Sequence, residues 1–194
     1  MSQPILASLT RRACLGALAG LAVLRSADAA NRSQLAGQWL LNHDESDDPK
    51  QKIQEALDGA GKGRRGGLAR LRGGSDRMQQ ALERMAEAAE NLSIQVEGDN
   101  VTLTAGGHSR TLVANGETKR QEGERGSVET RTQWQGDSLV TTAKTDRGVE
   151  ATTTHSLSSD GNRLVIDRRI EGGRLPQTIE LRMVYDRTSG SSVG

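Results

Sequence analysis

Leu92-Ser93-Ile94-Gln95-Val96-Glu97-Gly98-Asp99-Asn100-Val101-Thr102-Leu103 is the stretch that decides how this chain folds. Apolar and polar residues alternate strictly from Leu92 to Val96, the pattern of a strand with one buried face. Gly98-Asp99-Asn100 then supplies turn chemistry, and the alternation resumes at Val101 and Leu103. The same unit recurs to about Tyr185. Its further turns are Gly106-Gly107, Asn115-Gly116, Gly123, Gly136-Asp137, Asp146-Arg147-Gly148, Asp160-Gly161-Asn162 and Gly172-Gly173. Nine strands result, and Gly37 to Asn42 upstream makes a tenth.

Two helical segments separate that first strand from the rest. Asp48-Pro49 is a helix start, with Asp as N-cap and Pro at the first helical position. Ile53, Ala56 and Leu57 share one face of a helix that runs to about Asp58, where Gly59 stops it. Gly59 to Gly74 is a basic, Gly-rich linker carrying Lys62, Arg64, Arg65, Arg70 and Arg72. Ser75 caps a second helix, about Asp76 to Glu90, with Met78, Leu82, Met85 and Ala89 at helical spacing. The expected fold is therefore mainly β. It is an antiparallel up-and-down meander of about ten strands closing into a barrel, with two helices inserted after the first strand. Residues 30–187 form the barrel domain, 47–91 its helical insert with the flexible linker 59–74, and 188–194 a Ser/Gly-rich disordered tail.

Period-two patterning picks out inward sets: Val101 and Leu103; Val128, Thr130, Thr132 and Trp134; Val149, Ala151, Thr153, His155 and Leu157; Leu164, Ile166, Arg168 and Ile170; Ile179, Leu181, Met183 and Tyr185. A fully packed core does not ordinarily take Thr130, Thr132, Thr153, His155 and Arg168 on its inward face, whereas a hydrated cavity does. An open, twisted sheet with both faces wet is the competing reading.

Composition sets bounds. Of the 194 residues, 34% are apolar and only 2% aromatic, with no Phe, so an interior must be filled by Val, Leu, Ile and Met or stay hollow. The net charge of +1 gives no electrostatic case for nucleic acid. Arg11-Arg12, the apolar run Ala13 to Leu24 and Ala27-Asp28-Ala29 read as an export signal, residues 1–29, cleaved after Ala29. The run is too short to span a bilayer. Thr10-Arg11-Arg12-Ala13-Cys14-Leu15 resembles a twin-arginine signal; the general secretory route stays open. Cys14 is the single cysteine and leaves with the signal, so no thiol, disulfide or Cys metal site is expected in the periplasmic or secreted product.

Catalytic motifs are missing. His43, His108 and His155 show no metal-ligand spacing, and there is no HExxH, CxxC, Gly-x-Ser-x-Gly, P-loop or dinucleotide fingerprint. Asp44, Glu45, Asp47 and Asp48 lack the central Gly and alternate ligands of a calcium loop, and capping accounts for them. Arg64, Arg65, Arg70 and Arg72 have no interleaved aromatics for RNA stacking. Flanked by apolar helix faces, they suit an anionic membrane surface, or simply a solvated loop.

Gly37-Gln38-Trp39, the terminal strand Ile179–Arg187 and the meander between them resemble the lipocalin and fatty-acid-binding-protein superfamily. The resemblance implies that Trp39 packs near a basic residue of the last strand, a part that falls to Arg182 in this chain, and that the helix pair lids a cavity. It also implies a carboxylate held by an inward Arg-x-Tyr on the last strand. This chain has Met183-Val184-Tyr185 there, so Arg168 on the neighbouring strand would have to replace the missing arginine. The expectation is a non-enzymatic binder of a small hydrophobic or amphipathic ligand. Its contacts would be Trp39, Thr130, His155, Arg168, Met183 and Tyr185, its lid Met78, Leu82 and Met85, with no metal and no cofactor. A cell-envelope structural or protein-interaction module without a ligand is the alternative.

Overall fold

The computed structural model describes residues 32–58, 82–83, 88–123, 126–173 and 175–188. The export segment 1–29, the arginines at 64, 65, 70 and 72, and Met78 and Met85 lie outside them.

Ten strands follow the alternating segments: β1 (Gly37–Leu41), β2 (Asn91–Glu97), β3 (Asn100–Ala105), β4 (His108–Val113), β5 (Asn115–Gly123), β6 (Gly126–Gln135), β7 (Ser138–Thr145), β8 (Val149–Leu157), β9 (Arg163–Gly172) and β10 (Ile179–Thr188). All pair antiparallel in one sheet of order β4-β3-β2-β1-β10-β9-β8-β7-β6-β5. Strand β1 sits between β2 and β10, so the last strand returns to the first and the sheet curls into a nearly closed barrel. The opening lies between the two edge strands, β4 and β5. They are neighbours in sequence, joined through Ala114, whose N–H donates to Asp99 O at 2.7 Å instead of entering a β4–β5 ladder. A register shift between Asn115 and Thr118, with Gly116 at φ 77°, turns β5 away. Residues 117–123 of β5 are exposed throughout, and Glu117, Lys119, Arg120 and Glu122 blunt this edge against pairing with other chains.

One helix, α1 (Pro49–Asp58), is described as a whole element. Asp48 caps it as the sequence requires: its Oδ1 accepts from the N–H groups of Lys50 at 2.8 Å and Gln51 at 3.4 Å. The turn before it is stapled along the edge of β10, where the pairing with β1 ends. Ser46 Oγ accepts from Val184 N–H at 2.9 Å, and Asp47 Oδ2 accepts from Arg182 N–H at 2.8 Å. Those bonds set the helix across one end of the barrel. There Ile53 and Ala56 are buried against Ala151, Ile170, Ile179 and Leu181. Of the expected second helix, Leu82 and Glu83 are helical, whereas Ala88 to Glu90 are not, so that helix stops short of Glu90. Leu82 is buried in the same apolar cluster as Ile53.

The other end is solid. Leu35, Trp39, Ile94, Val101, Leu139 and Leu164 are almost completely buried there. The Arg187 guanidinium lies 4.2 Å from the Trp39 ring centroid and donates to the carbonyls of Gln34 at 2.6 Å, Gly161 at 3.0 Å and Ala36 at 3.1 Å. The basic partner of Trp39 is therefore Arg187, not Arg182. Trp39 pairs directly with Arg187 across β1 and β10, while Arg182 has the opposite parity and reaches outward to Asp167 at 3.6 Å. Gly37 is the third part of this closure, because a Cβ there would sit 2.8 Å from Arg187 Nη1.

Two further expectations change. Thr188, assigned to the tail, ends β10 and donates from Oγ1 to Gln38 O at 3.1 Å. Val128 has inward parity but is 37% exposed, because it lies close to the β5–β6 turn, beyond the packed interior.

Candidate functional site

Directly opposed residues of an antiparallel pair point to the same side of the sheet, so the register stacks the inner face of β6 to β10 into layers. Nearest the solid end is Leu157–Leu164–Tyr185, followed by Trp134–Leu139–His155–Ile166–Met183. Below them comes a polar belt, Thr132–Thr141–Thr153–Arg168–Leu181, and then Thr130–Ala143–Ala151–Ile170–Ile179 under α1. In the last two layers the positions on β6 to β8 are all Thr or Ala, which leaves space.

That space is a cavity of about 510 Å³ inside the barrel. One wall is Thr130, Thr141, Ala143, Ala151, Thr153 and His155 from β6 to β8; Ile166, Arg168, Met183 and Tyr185 of β9 and β10 continue it. The facing wall is Leu92, Leu103, Ala105, His108, Arg110 and Leu112 from β2 to β4, with Ala88 and Ala89 beside them. A larger hollow of about 800 Å³ lies elsewhere, between the His43–Lys50 turn and Glu83, Ala88 and Glu90. It borders the acidic turn, and it takes in none of the inward Thr, His or Arg residues. The interior cavity is the one the inward side chains build.

Five of the six expected contact residues line it together: Thr130, His155, Arg168, Met183 and Tyr185. Trp39 does not. It belongs to the solid end, its Nε1 donating to Leu35 O at 3.2 Å. Of the expected lid, Leu82 alone is described, packed on the α1 cluster.

The electrostatics is one-sided. Among the described lining residues there are two arginines and no Asp or Glu. Arg168 is partly exposed and donates from Nε to Thr153 Oγ1 at 3.3 Å; burial, and then the nearby charge of Arg110, lower its pKa. Partial desolvation also lowers that of Arg110, which remains exposed on the edge strand β4. His155 is held neutral down to about 4, first by burial and then by the charges of Arg110 and Arg168. Its Nδ1 has no hydrogen-bond partner among the described residues. Tyr185 is pushed up to about 12 by burial, against the opposing pull of Arg168. It stays a neutral phenol at any physiological pH. The polar groups that face the cavity are thus the two arginines, hydroxyls, the neutral imidazole of His155 and the ring of His108, set among aliphatic side chains. This set can hold an acidic or polar group and an apolar body. The described residues hold no cluster able to bind a metal ion.

Arg110 is the residue that sequence reading missed. Its segment, His108-Ser109-Arg110-Thr111, has no apolar residue to mark an inner face. The signal was available at one remove. Leu103 opposes Arg110 in the β3–β4 ladder, and Leu103 is an inward residue of an unambiguous strand.

No protein-family model and no curated protein sequence matches this chain. Among solved structures, the chain is similar to lipid binding protein 8 of Caenorhabditis elegans. The two are 14% identical, with a TM-score of 0.46, over 80% of this chain and 96% of that one. It is likewise similar to the fatty-acid-binding protein of Manduca sexta, at 18% identity and a TM-score of 0.45 over 79% and 99%. A third similar structure is secretory abundant heat soluble protein 4 of Ramazzottius varieornatus, at 11% identity and a TM-score of 0.46 over 80% and 96%. The nearly closed antiparallel barrel of ten strands among the described residues is read from this chain itself. Its own strand order, with β1 held between β2 and β10 and the helical segment inserted after β1, carries that layout in this chain.

Proposed function

We propose that this protein is an exported, non-enzymatic binder of a small amphipathic molecule, held inside the barrel with its polar group on the arginine side and its apolar part on Leu103, Leu112, Ile166 and Met183. The observation that supports this best is the 510 Å³ cavity. Its size falls within the range of small-molecule sites, and its lining of aliphatic residues with a few polar groups is their usual composition. A chain selected only for stability would gain from filling such a space, since each void costs dispersion and transfer energy. Among the described lining residues no nucleophile is paired with a base, which favours binding over chemistry.

Native mass spectrometry of the protein purified from its own cell envelope tests the reading. A co-purifying mass of a few hundred daltons that leaves on delipidation is the expected result. An unloaded barrel that also fails to take up any of a panel of fatty acids, alkyl phosphates and hydrophobic dyes would end the binding proposal. Export is tested separately: the mature chain should begin at Ala30-Asn31-Arg32, and an intact Met1 in the cell envelope would overturn it.

A further inference from the structure

Two buried side-chain polar atoms among the described residues have no hydrogen-bond partner, Trp134 Nε1 and His155 Nδ1. Of these two residues, His155 lines the barrel cavity and Trp134 does not. The imidazole is 3% exposed, and its neighbours across the layer, Leu139, Ile166 and Met183, are apolar. The main chain of Leu139, directly opposite on β7, can serve one ring nitrogen at most. A neutral imidazole has one N–H and one lone pair, so one hydrogen-bonding position is left without a protein partner. An unpaired polar group among aliphatic side chains destabilises the fold, and a ligand atom that pairs with it removes that penalty.

We infer that His155 receives a hydroxyl carried on the apolar body of the ligand, so that the preferred ligand is a hydroxylated amphiphile and not a plain fatty acid. This deepens the binding reading above and rests on it. A charged group is disfavoured at this position, because the layer around the ring is apolar and the ring, neutral down to about 4, offers no counter-charge. A hydroxyl costs far less to bury, and it both donates and accepts, so it fits either tautomer of the imidazole. An ether or ketone oxygen only accepts and fits one tautomer alone. The β8 register fixes where along the ligand the hydroxyl falls. Thr153, to which Arg168 donates at 3.3 Å, lies two residues from His155 on the same face of the strand. Two strand residues span about 7 Å. The hydroxyl therefore sits part-way along the apolar body, beside Ile166 and Met183, and not next to the group on the arginine side.

The test is calorimetric titration of the purified protein with three probes: dodecanoate, dodecanoate hydroxylated at mid-chain, and dodecanoate hydroxylated on the carbon beside the carboxylate. The mid-chain hydroxyl should tighten binding about three- to tenfold over plain dodecanoate, the range of one net hydrogen bond. The hydroxyl beside the carboxylate should not. In His155→Phe the order should invert, because the mid-chain hydroxyl then enters an apolar layer without a partner. His155→Gln keeps a donor and an acceptor and should restore the preference. The ring-nitrogen NMR signal of His155 in the parent protein gives a readout that needs neither variant to fold. It should move further with the mid-chain hydroxylated probe than with plain dodecanoate. Equal affinity for those two probes, a preference that survives His155→Phe, or a ring signal that does not tell them apart overturns the hydroxyl inference and leaves the binding function standing. If none of the three probes binds, this inference is overturned, and the binding function falls only if the wider panel named above fails too.

Discussion

Replacing Arg187 with methionine should cost far more stability than the same change at Arg182, although both arginines belong to β10. Arg187 stacks on Trp39 at 4.2 Å and supplies three hydrogen bonds to main-chain carbonyls of Gln34, Ala36 and Gly161. The stack is worth about 1 kcal/mol where it is partly desolvated. Each charged hydrogen bond contributes about 1 kcal/mol net once water takes over some of the freed carbonyls. The sum is about 4 kcal/mol, and for a domain of this size each kcal/mol moves the melting point by about 2–4 °C. The expected drop for Arg187→Met is therefore roughly 8–16 °C. Arg182 loses only a 3.6 Å ion pair to Asp167 in which both side chains are more than half exposed. Such pairs are worth about 0–1 kcal/mol, so Arg182→Met should shift the midpoint by less than about 4 °C. Differential scanning calorimetry of the two variants beside the parent decides the matter. If both melt alike, or Arg182→Met melts lower, Arg187 does not close the solid end of this barrel.

Trp39→Ala should lower stability by about 3–5 kcal/mol in chemical denaturation, since the side chain is 1% exposed; an unchanged midpoint would place it on the surface. Stability should also fall as pH drops from about 6.5 toward 4. Folded His155 stays neutral down to about 4 while the unfolded histidine takes its proton near 6.5, so acid favours the unfolded chain. The loss is about 3 kcal/mol and is absent in His155→Gln, whose pH profile should be flatter by that amount; an identical slope in both proteins would refute the assignment. Amides of the segment around Leu82 should exchange faster than those of β7 to β10, and should slow when a ligand fills the cavity. Equal, strong protection of that segment and the strands in the empty protein would make it fixed core, with no lid.

The strands were legible because their two faces differ. Leu92 to Val96 and Ile179 to Tyr185 alternate so clearly that register and inward set follow from parity, and the inward residues of β8 to β10 fall where parity puts them. Parity failed where strands leave the packed interior. Val128 follows the pattern yet is exposed, because burial depends on having a facing layer and the β5–β6 end has none. It failed again on β4 and β5, which are polar on both faces and give no pattern to read, and this hid Arg110. The basic partner of Trp39 was assigned to the wrong arginine for a different reason. Arg182 and Arg187 differ by an odd number of positions, so they face opposite sides of the sheet, and only the β1–β10 register tells which one meets Trp39. Register across strands distant in sequence is set by tertiary pairing, and no local pattern encodes it.

The hollow has the same origin as the solid end. Aromatic and branched side chains are concentrated at Leu35, Trp39, Ile94, Leu139 and Leu164, where layers from both walls meet without gaps. Two layers further along, the inner positions of β6 to β8 are Thr130, Thr132, Thr141, Ala143, Ala151 and Thr153, all too short to reach the facing wall. A chain without phenylalanine could still have closed this region with leucine or isoleucine, as it does on β9 and β10. Threonine and alanine on three consecutive strands instead keep the barrel wall intact, because β-branched threonine suits a strand, while leaving space in front of it. Arg168, half-buried, and Arg110, exposed on its edge strand, bring positive charge to the lining of that space. Small side chains alone would weaken the core. Under the proposed function, an acidic, partly apolar molecule inside the barrel would fill that space and meet that charge at once.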